Sequence, residues 1–357
     1  MELAFATHHH GSECYWLIRG LYARWLGTQK TLAAKRKAED KPIDKPNIVF
    51  SSTVQVVWEK FANYWDVEPR YIPISEENPN MDPDVVKDYV DENTIGVVAI
   101  LGVTYTGGYE PVKEICAALD KVQKDTGVDV PVHVDAASGG FIAPFLEPEL
   151  EWDFRVKRVY SISASGHKFG LVYPGMGWVV WREKENVPKE MIFYVDYLGG
   201  NEADLSINFS RPGAQVLLQY YNFLRLGKTG YRRVQKASID NARYMAKELD
   251  KMSCFEVYTA AEHVPLITWK MKEGYTDKWD LYDLSDKLRA RGWQIPAYPL
   301  TADATDVNVW RVVFRNGVSR DMCDLMMADI KRAVEEYDKL ETPLPRDARL
   351  KKTFDHT

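Results

Sequence analysis

The sequence predicts an α/β fold: a large domain built on a mainly parallel sheet, followed by a small C-terminal α+β domain. Three observations carry that expectation. From about residue 47 onward, short β-branched runs alternate with segments of helical period, the pattern of right-handed strand–helix–strand crossovers. One of the runs, TIGVVAILGV, is apolar throughout, as a strand covered on both faces must be. A long helical stretch over 212–252, broken near Gly227–Gly230, then marks where a second set of strands and helices begins.

In chain order, NIVFSS reads as a strand and VQVVWEKFANYW as an amphipathic helix. YIPI reads as a strand. MDPDVVKDYV opens with Asp82-Pro83, an N-cap residue followed by a first-turn proline, and predicts a helix. TIGVVAILGV is a buried strand, and VKEICAALDKVQK a helix with apolar residues at i, i+3 and i+4. VPVHVD, VYSISAS and GMGWVVWR are further strands. In the small domain VPLITWKMK, WQIPAYPL and VNVWRVVFR read as strands, and DLYDLSDKLRARG and SRDMCDLMMADIKRAVEEY as helices. The expected segments are 1–43 as an N-terminal segment, 44–228 as the large domain, 229–338 as the small domain with its linking helix, and 339–357 as a polar tail.

With 357 residues and 45% apolar composition, the chain can bury a core for two domains. A net charge of −6 with dispersed Lys and Arg gives no footprint for nucleic acid. No apolar run approaches the roughly 20 residues of a membrane helix, and no signal-peptide layout opens the chain. Cys14, Cys116, Cys254 and Cys323 fit neither a zinc site nor a CxxC pair, so free thiols in a reducing, cytoplasmic compartment are expected, with no metal site. Eleven Trp and twenty Tyr are expected to be core and interface anchors.

The chemistry concentrates in SISASGHKFG. Lys168 follows a His in a Ser/Gly-rich turn, directly after a strand. One strand earlier, HVDAASGG ends another apolar run with Asp135. Taken singly, the Lys reads as a solvated turn residue and the Asp as a helix cap. Taken together, at the carboxyl ends of two neighbouring parallel strands, they are what pyridoxal phosphate needs. The amine would hold the aldehyde, and the carboxylate would keep a proton on the ring nitrogen.

HVDAASGGFIAPF, WDFR, SISASGHKFGLVYPGMGWVVWR, VDYLGG and INFSRPGAQVLLQYYNFLRLG resemble the glutamate decarboxylases, bacterial ones most, from about Asp44 to the last residues. The resemblance implies the aspartate-aminotransferase-like fold of type I pyridoxal-phosphate enzymes, with a seven-stranded large-domain sheet. It implies decarboxylation of L-glutamate to 4-aminobutyrate and CO2, consuming a proton, in a homodimer or dimer-based oligomer such as a hexamer. It places Lys168 and Asp135 as above, Ser165 and His167 beside the cofactor phosphate, Gln55 against the ring face and Ala137 under the ring. Thr104 falls near the phenolic oxygen and the substrate, and Arg311 at a substrate carboxylate. Ser210 reaches the neighbouring subunit's phosphate. Arg315, four residues beyond Arg311, is expected on the same strand face.

Two departures are informative. Relatives carry a substantial segment before the first phosphate-binding turn that is essentially absent here. That turn reads His10-Gly11-Ser12-Glu13 where the family has Gly-Ser-Ser-Glu, which leaves Ser12 as its hydroxyl. Weaker cofactor binding and dimer contacts are the expectation. The alternatives are a related amino-acid decarboxylase, which Gln55 disfavours because those enzymes usually place His there, an inactive protein of the same fold, or a subunit that caps a full-length partner. The chain ends KKTFDHT, and the resemblance implies a regulatory role for His356: neutral, it would close the site, and protonation near pH ~6.5 would release it.

Overall fold

The computed structural model describes residues 3–7, 45–184, 193–196, 199–200, 202–204 and 213–345. They fall into two compact units. The first comprises the described residues within 1–74, 80–103 and 109–231; the second comprises those within 75–79, 104–108 and 232–357.

The first unit is built on a seven-stranded sheet. Its strands are β1 (Leu3–Thr7), β2 (Asn47–Ser51), β3 (Glu68–Ile72), β4 (Thr94–Ile100), β5 (Val132–Asp135), β6 (Val159–Ser165) and β7 (Gly177–Trp181), in the order β1-β7-β6-β5-β4-β2-β3. The run from β6 to β3 is parallel; β7 and β1 are added antiparallel at one edge. β2 and β4 are buried at every position, which explains why their sequences do not alternate.

Helix α1 (Val56–Trp65) buries Trp58, Phe61 and Ala62 and stops where Asp66 turns left-handed. Helix α2 (Val112–Thr126) buries Val112, Ile115, Cys116 and Leu119, one stripe at helical spacing. It ends at Gly127 with φ 80°, a conformation that glycine adopts without a Cβ penalty. A two-stranded ribbon, β8 (Phe193–Val195) and β9 (Glu202–Asp204), follows the sheet. Helix α3 (Ala214–Asp250) is interrupted where the expected break falls, at Gly227 (φ 54°, ψ −170°).

The second unit is an antiparallel sheet of β10 (Phe255–Ala260), β11 (Leu266–Met271), β12 (Ala297–Pro299) and β13 (Asn308–Val313), in the order β10-β11-β13-β12. It is joined by α4 (Leu281–Arg289) and α5 (Arg320–Tyr337). Asp280 and Asp283 form a reciprocal capping box at the start of α4, and Ser319 caps α5. Trp269 and Trp310 meet edge to face at 5.2 Å in its core. Trp58, Trp181, Trp269, Trp279 and Trp310 are all fully buried, and Cys116, Cys254 and Cys323 are buried free thiols.

Three details differ from the sequence reading. The third strand is Glu68–Ile72 rather than YIPI, because the chain pairs in register with β2; Pro69 is tolerated there because β3 is the edge strand. MDPDVVKDYV forms only a short 3-10 turn, Val86–Asp88, and the Asp82 side chain accepts a hydrogen bond from Asp84 N–H. That local bond competes with helix formation. β13 ends at Val313, so exposed Arg315 lies beyond the strand and shares no strand face with Arg311.

Candidate active site

β5 and β6 are neighbouring parallel strands, so their carboxyl ends open at the same edge of the sheet. Asp135 is the last residue of β5 and is 5% exposed. Its carboxylate is fixed from three sides. Trp58 Nε1–H donates to Oδ2 at 2.7 Å. The Ala137 N–H donates to Oδ1 at 3.1 Å, and Ser163 Oγ to the same oxygen at 3.4 Å. Gln55 stands one turn before Trp58 as the N-cap residue of α1, extended and half-buried, so one short helix carries both.

Behind Asp135 the strands carry a polar ladder through an apolar sheet. His133 lies two residues back on the same strand face, with Ser161 and Ser163 opposite in register. Its Nδ1 is 3.1 Å from Ser161 Oγ and its Nε2 3.2 Å from Ser163 Oγ. Burial pushes the imidazole pKa down to about 3, against the opposing pull of Asp135. The ring is therefore neutral near pH 7, with one nitrogen donating and the other accepting. Its centroid lies 5.3 Å from that of the Trp58 ring.

Lys168 sits in the turn after β6 and is exposed. Its Nζ donates to Ser138 Oγ at 3.3 Å, so the amine leans toward the turn that follows Asp135. The two turns are joined directly as well, by Ser165 N–H to the Ala137 carbonyl at 3.2 Å. Ser165 is buried, and His167 Nδ1 lies 3.2 Å from the Met176 carbonyl. Gly139 and Gly140 let the first turn lie tight on its neighbours. A Cβ on Gly139 would stand 2.5 Å from the Leu101 carbonyl oxygen, and one on Gly140 2.8 Å from Ala164 Cβ.

The second unit brings Thr104 and Arg311 together. Arg311 Nη1 donates to the Thr104 carbonyl at 2.7 Å. Its guanidinium lies over the Tyr298 ring, 5.6 Å from the centroid, and the Tyr298 hydroxyl donates to the Tyr105 carbonyl at 3.0 Å. Ser12, Ser210 and His356 lie outside the described residues.

Sequence reasoning missed Trp58, His133, Ser163 and Ser138. The signal for two of them was available: His-x-Asp and Ser-x-Ser place polar residues on one face of strands that are otherwise apolar. It also missed Glu110, buried at 2% exposure, whose carboxylate accepts from Ile100 N–H at 2.6 Å and Met81 N–H at 3.2 Å. Burial raises its pKa to about 7, partly offset by those hydrogen bonds and one from Ser51.

These two buried groups give stability a pH dependence of opposite signs. Between about 6.5 and about 3 the unfolded chain binds a proton at His133 that the folded chain refuses, so stability falls as pH drops through that window. Glu110 behaves oppositely: its contribution is complete below the unfolded pKa of ~4.3 and is lost as pH rises through about 7. Thermal midpoints of the parent and of Glu110→Gln, measured from acid to neutral pH, should differ in slope. In the parent the Glu110 decline offsets the His133 rise between about 4.3 and about 6.5, and the variant, lacking that decline, should gain stability as pH rises through the window. An identical slope in both would remove Glu110 as the source of the decline.

A buried, anchored carboxylate on one strand end and an exposed primary amine tethered to the adjoining turn are matched partners for a pyridine aldehyde. The carboxylate suits a protonated ring nitrogen, and the amine suits the aldehyde carbon. On this sheet, that pair defines a pyridoxal-phosphate protein of the aspartate-aminotransferase-like fold. Residues 6–272 match the pyridoxal-dependent decarboxylase conserved domain, and the chain belongs to that family.

Among its relatives, the glutamate decarboxylase of Aliivibrio fischeri is 49% identical over 324 residues, which is 90% of this chain and 68% of that protein. The glutamate decarboxylase of Lactococcus lactis is 46% identical over 309 residues, 85% of this chain and 66% of that protein. The chain thus spans about two thirds of the length of these relatives. The solved glutamate decarboxylase of Lactobacillus brevis superposes with a TM-score of 0.90 at 40% identity, covering 96% of this chain and 76% of that one. A tryptophan decarboxylase of Catharanthus roseus reaches a TM-score of 0.76 at 16% identity over 94% of this chain and 71% of its own, a likeness of fold alone.

Proposed function

We propose that this protein decarboxylates L-glutamate at Cα, taking up a proton and yielding 4-aminobutyrate and CO2. The observation that carries the reading is the Asp135–Lys168 arrangement on neighbouring strand ends, with Asp135 held by Trp58. The choice of glutamate rests on five relatives named glutamate decarboxylase, at 44% to 49% identity.

Pyridoxal phosphate, when bound, supplies an electron sink for the bonding pair that remains on Cα as CO2 departs. Asp135 would hold the proton at the ring nitrogen. Trp58, Ala137 N–H and Ser163 keep its oxygens aimed and restrict their reorientation. Lys168 would hold the cofactor through its amine, give way to the amine of the substrate, and return a proton to Cα. Gln55 would cover the ring face and Ala137 the other side. Ser165 and His167, with Ser12 and the partner subunit's copy of Ser210, would serve the phosphate. Thr104 would assist near the substrate.

Arg311 is assigned to a substrate carboxylate. The Thr104 carbonyl and the Tyr298 ring preorient its planar fork, which an ammonium cannot reproduce. Arg311→Lys should therefore lower kcat/KM for glutamate by about a hundredfold or more, while cofactor absorbance changes little. Unchanged kinetics would remove Arg311 from substrate binding.

We further propose a homo-oligomer based on a dimer. The first half of α3 exposes Leu217, Leu218, Tyr220, Tyr221 and Leu224, an apolar stretch that a monomer leaves in water. Analytical ultracentrifugation tests it. A cytoplasmic location fits the buried free thiols. No helix among the described residues is long and apolar enough to cross a membrane.

The deciding experiment adds pyridoxal phosphate and glutamate to the protein and follows visible absorbance, CO2 and 4-aminobutyrate. Cofactor binding without CO2 release from glutamate would favour the reading of an inactive relative. Release from an aromatic amino acid or histidine instead would move the substrate.

A further inference from the structure

We propose that Gln219 is a positioning residue for Lys168: with Tyr231 it locks the turn that carries the lysine and so sets how fast that amine captures pyridoxal phosphate. The inference rests on the cofactor reading above.

Gln219 is fully buried, an unusual place for a primary amide, and it lies in α3, far along the chain from the lysine turn. Its Nε2 donates to the Gly170 carbonyl at 2.9 Å and also lies 2.9 Å from the Tyr231 hydroxyl. The Tyr231 hydroxyl lies 3.0 Å from the same Gly170 carbonyl. Two groups, themselves in contact, thus converge on the carbonyl of the second residue after Lys168. Phe145 stacks on the Tyr231 ring at 4.9 Å and fixes the direction of that hydroxyl.

The glycines on either side of the His167–Phe169 segment make room for the amide. A Cβ at Gly166 would stand 2.5 Å from Gln219 Oε1, and one at Gly170 2.9 Å from it. The amide therefore occupies the space of two missing side chains and braces the turn from inside. Among the described residues Gln219 Oε1 is buried without a hydrogen-bond partner, a cost that a residue serving packing alone would avoid. One residue further on, Leu171 adopts φ 65°, a left-handed conformation unfavourable for a branched side chain. Its carbonyl accepts from Asn222 Nδ2 at 2.9 Å, so α3 also holds the strained residue in place. Lys168 itself is exposed, and its amine is held by a long hydrogen bond of 3.3 Å to Ser138 Oγ. The backbone that carries it is what α3 fixes.

Capture joins the Lys168 nitrogen to the aldehyde carbon and releases the aldehyde oxygen as water. A brace on the turn acts on that step alone. Binding of a cofactor analogue that has no aldehyde does not need the amine in place. The test therefore uses the cofactor-free protein and two probes, pyridoxal 5′-phosphate and pyridoxine 5′-phosphate, in which an alcohol replaces the aldehyde. Gln219→Met keeps the length of the side chain and removes both hydrogen bonds. It should slow the appearance of the capture absorbance by about tenfold, while the affinity for pyridoxine 5′-phosphate stays within about twofold of the parent. Tyr231→Phe, which removes one of the two hydroxyl and amide contacts to Gly170, should slow capture by about threefold with the same analogue affinity. It carries the comparison if Gln219→Met does not fold.

Parent-like capture rates in the folded variants overturn the proposal. So does an equal loss of capture and analogue affinity, which marks a role in packing only. Lys168→Ala shows which absorbance belongs to the lysine. A parent that shows no capture at all fails at the cofactor reading itself, and is distinguished from failure of the brace by that control.

Discussion

Lys168→Ala is expected to remove turnover by at least about a thousandfold and to abolish the visible absorbance of the cofactor-loaded protein. Two losses combine. The amine that would hold the aldehyde is gone, and so is the group that would return a proton to Cα. Stability should barely change. Lys168 is exposed, its hydrogen bond to Ser138 Oγ is 3.3 Å long, and substitutions at such places usually shift stability by no more than ~0.5 kcal/mol. Cofactor could still be retained through its phosphate, so a dialysed variant with bound phosphate-bearing ligand but no capture absorbance is the expected state. Hydride reduction followed by peptide mapping gives a second readout: in the parent the cofactor should be found on the peptide containing Lys168, and in the variant on no lysine. Multiple turnovers by Lys168→Ala would falsify the assignment.

Much of the frame was legible because its signals are local. β6 spans Val159–Ser165, the segment that the β-branched run marks, and the stripe Val112, Ile115, Cys116, Leu119 is buried as its spacing requires. The break at Gly227 is written in the residue itself. What failed was set by distant partners. β3 runs from Glu68 to Ile72 because β2 offers its ladder there, although Glu68, Pro69 and Arg70 do not look like a strand. β10 is missing from the sequence reading, and its register shifts between Val257 and Thr259, which breaks the alternation a reader counts.

The site divides the same way. Asp135 and Lys168 are visible because each stands at the end of a recognisable strand. Their supports are not. Trp58 is 77 residues from the carboxylate it holds, and Arg311 is 207 residues from the carbonyl that orients it. An indole on a helix face reads as core until the fold shows what its N–H meets. Trp58 is in fact both, fully buried and hydrogen-bonded, as a buried indole usually is.

That double role makes Asp135→Asn the second large effect, and one whose two consequences can be separated. The substitution removes the negative charge that would keep a proton on the ring nitrogen, so turnover should fall by about a hundredfold or more while capture by Lys168 survives. It also disturbs the buried network. An amide has one accepting oxygen where the carboxylate has two, and both are engaged: Oδ2 by Trp58 Nε1–H, Oδ1 by the Ala137 N–H and Ser163. Whichever way the amide turns, its NH2 faces an N–H donor and leaves that donor unsatisfied, at about 1–3 kcal/mol of stability. Trp58→Phe removes the indole donor. In that background the stability cost of Asp135→Asn should shrink by more than half, because the amide NH2 can face the phenyl ring while its oxygen still accepts from Ala137. Turnover should not recover, since the charge is still absent. Thermal melts of the four proteins give the coupling, and steady-state kinetics on the same four give the chemistry. If the two substitutions add in stability, Trp58 is not the donor that reads the carboxylate. If turnover returns with stability, Asp135 acts through the fold rather than on the cofactor.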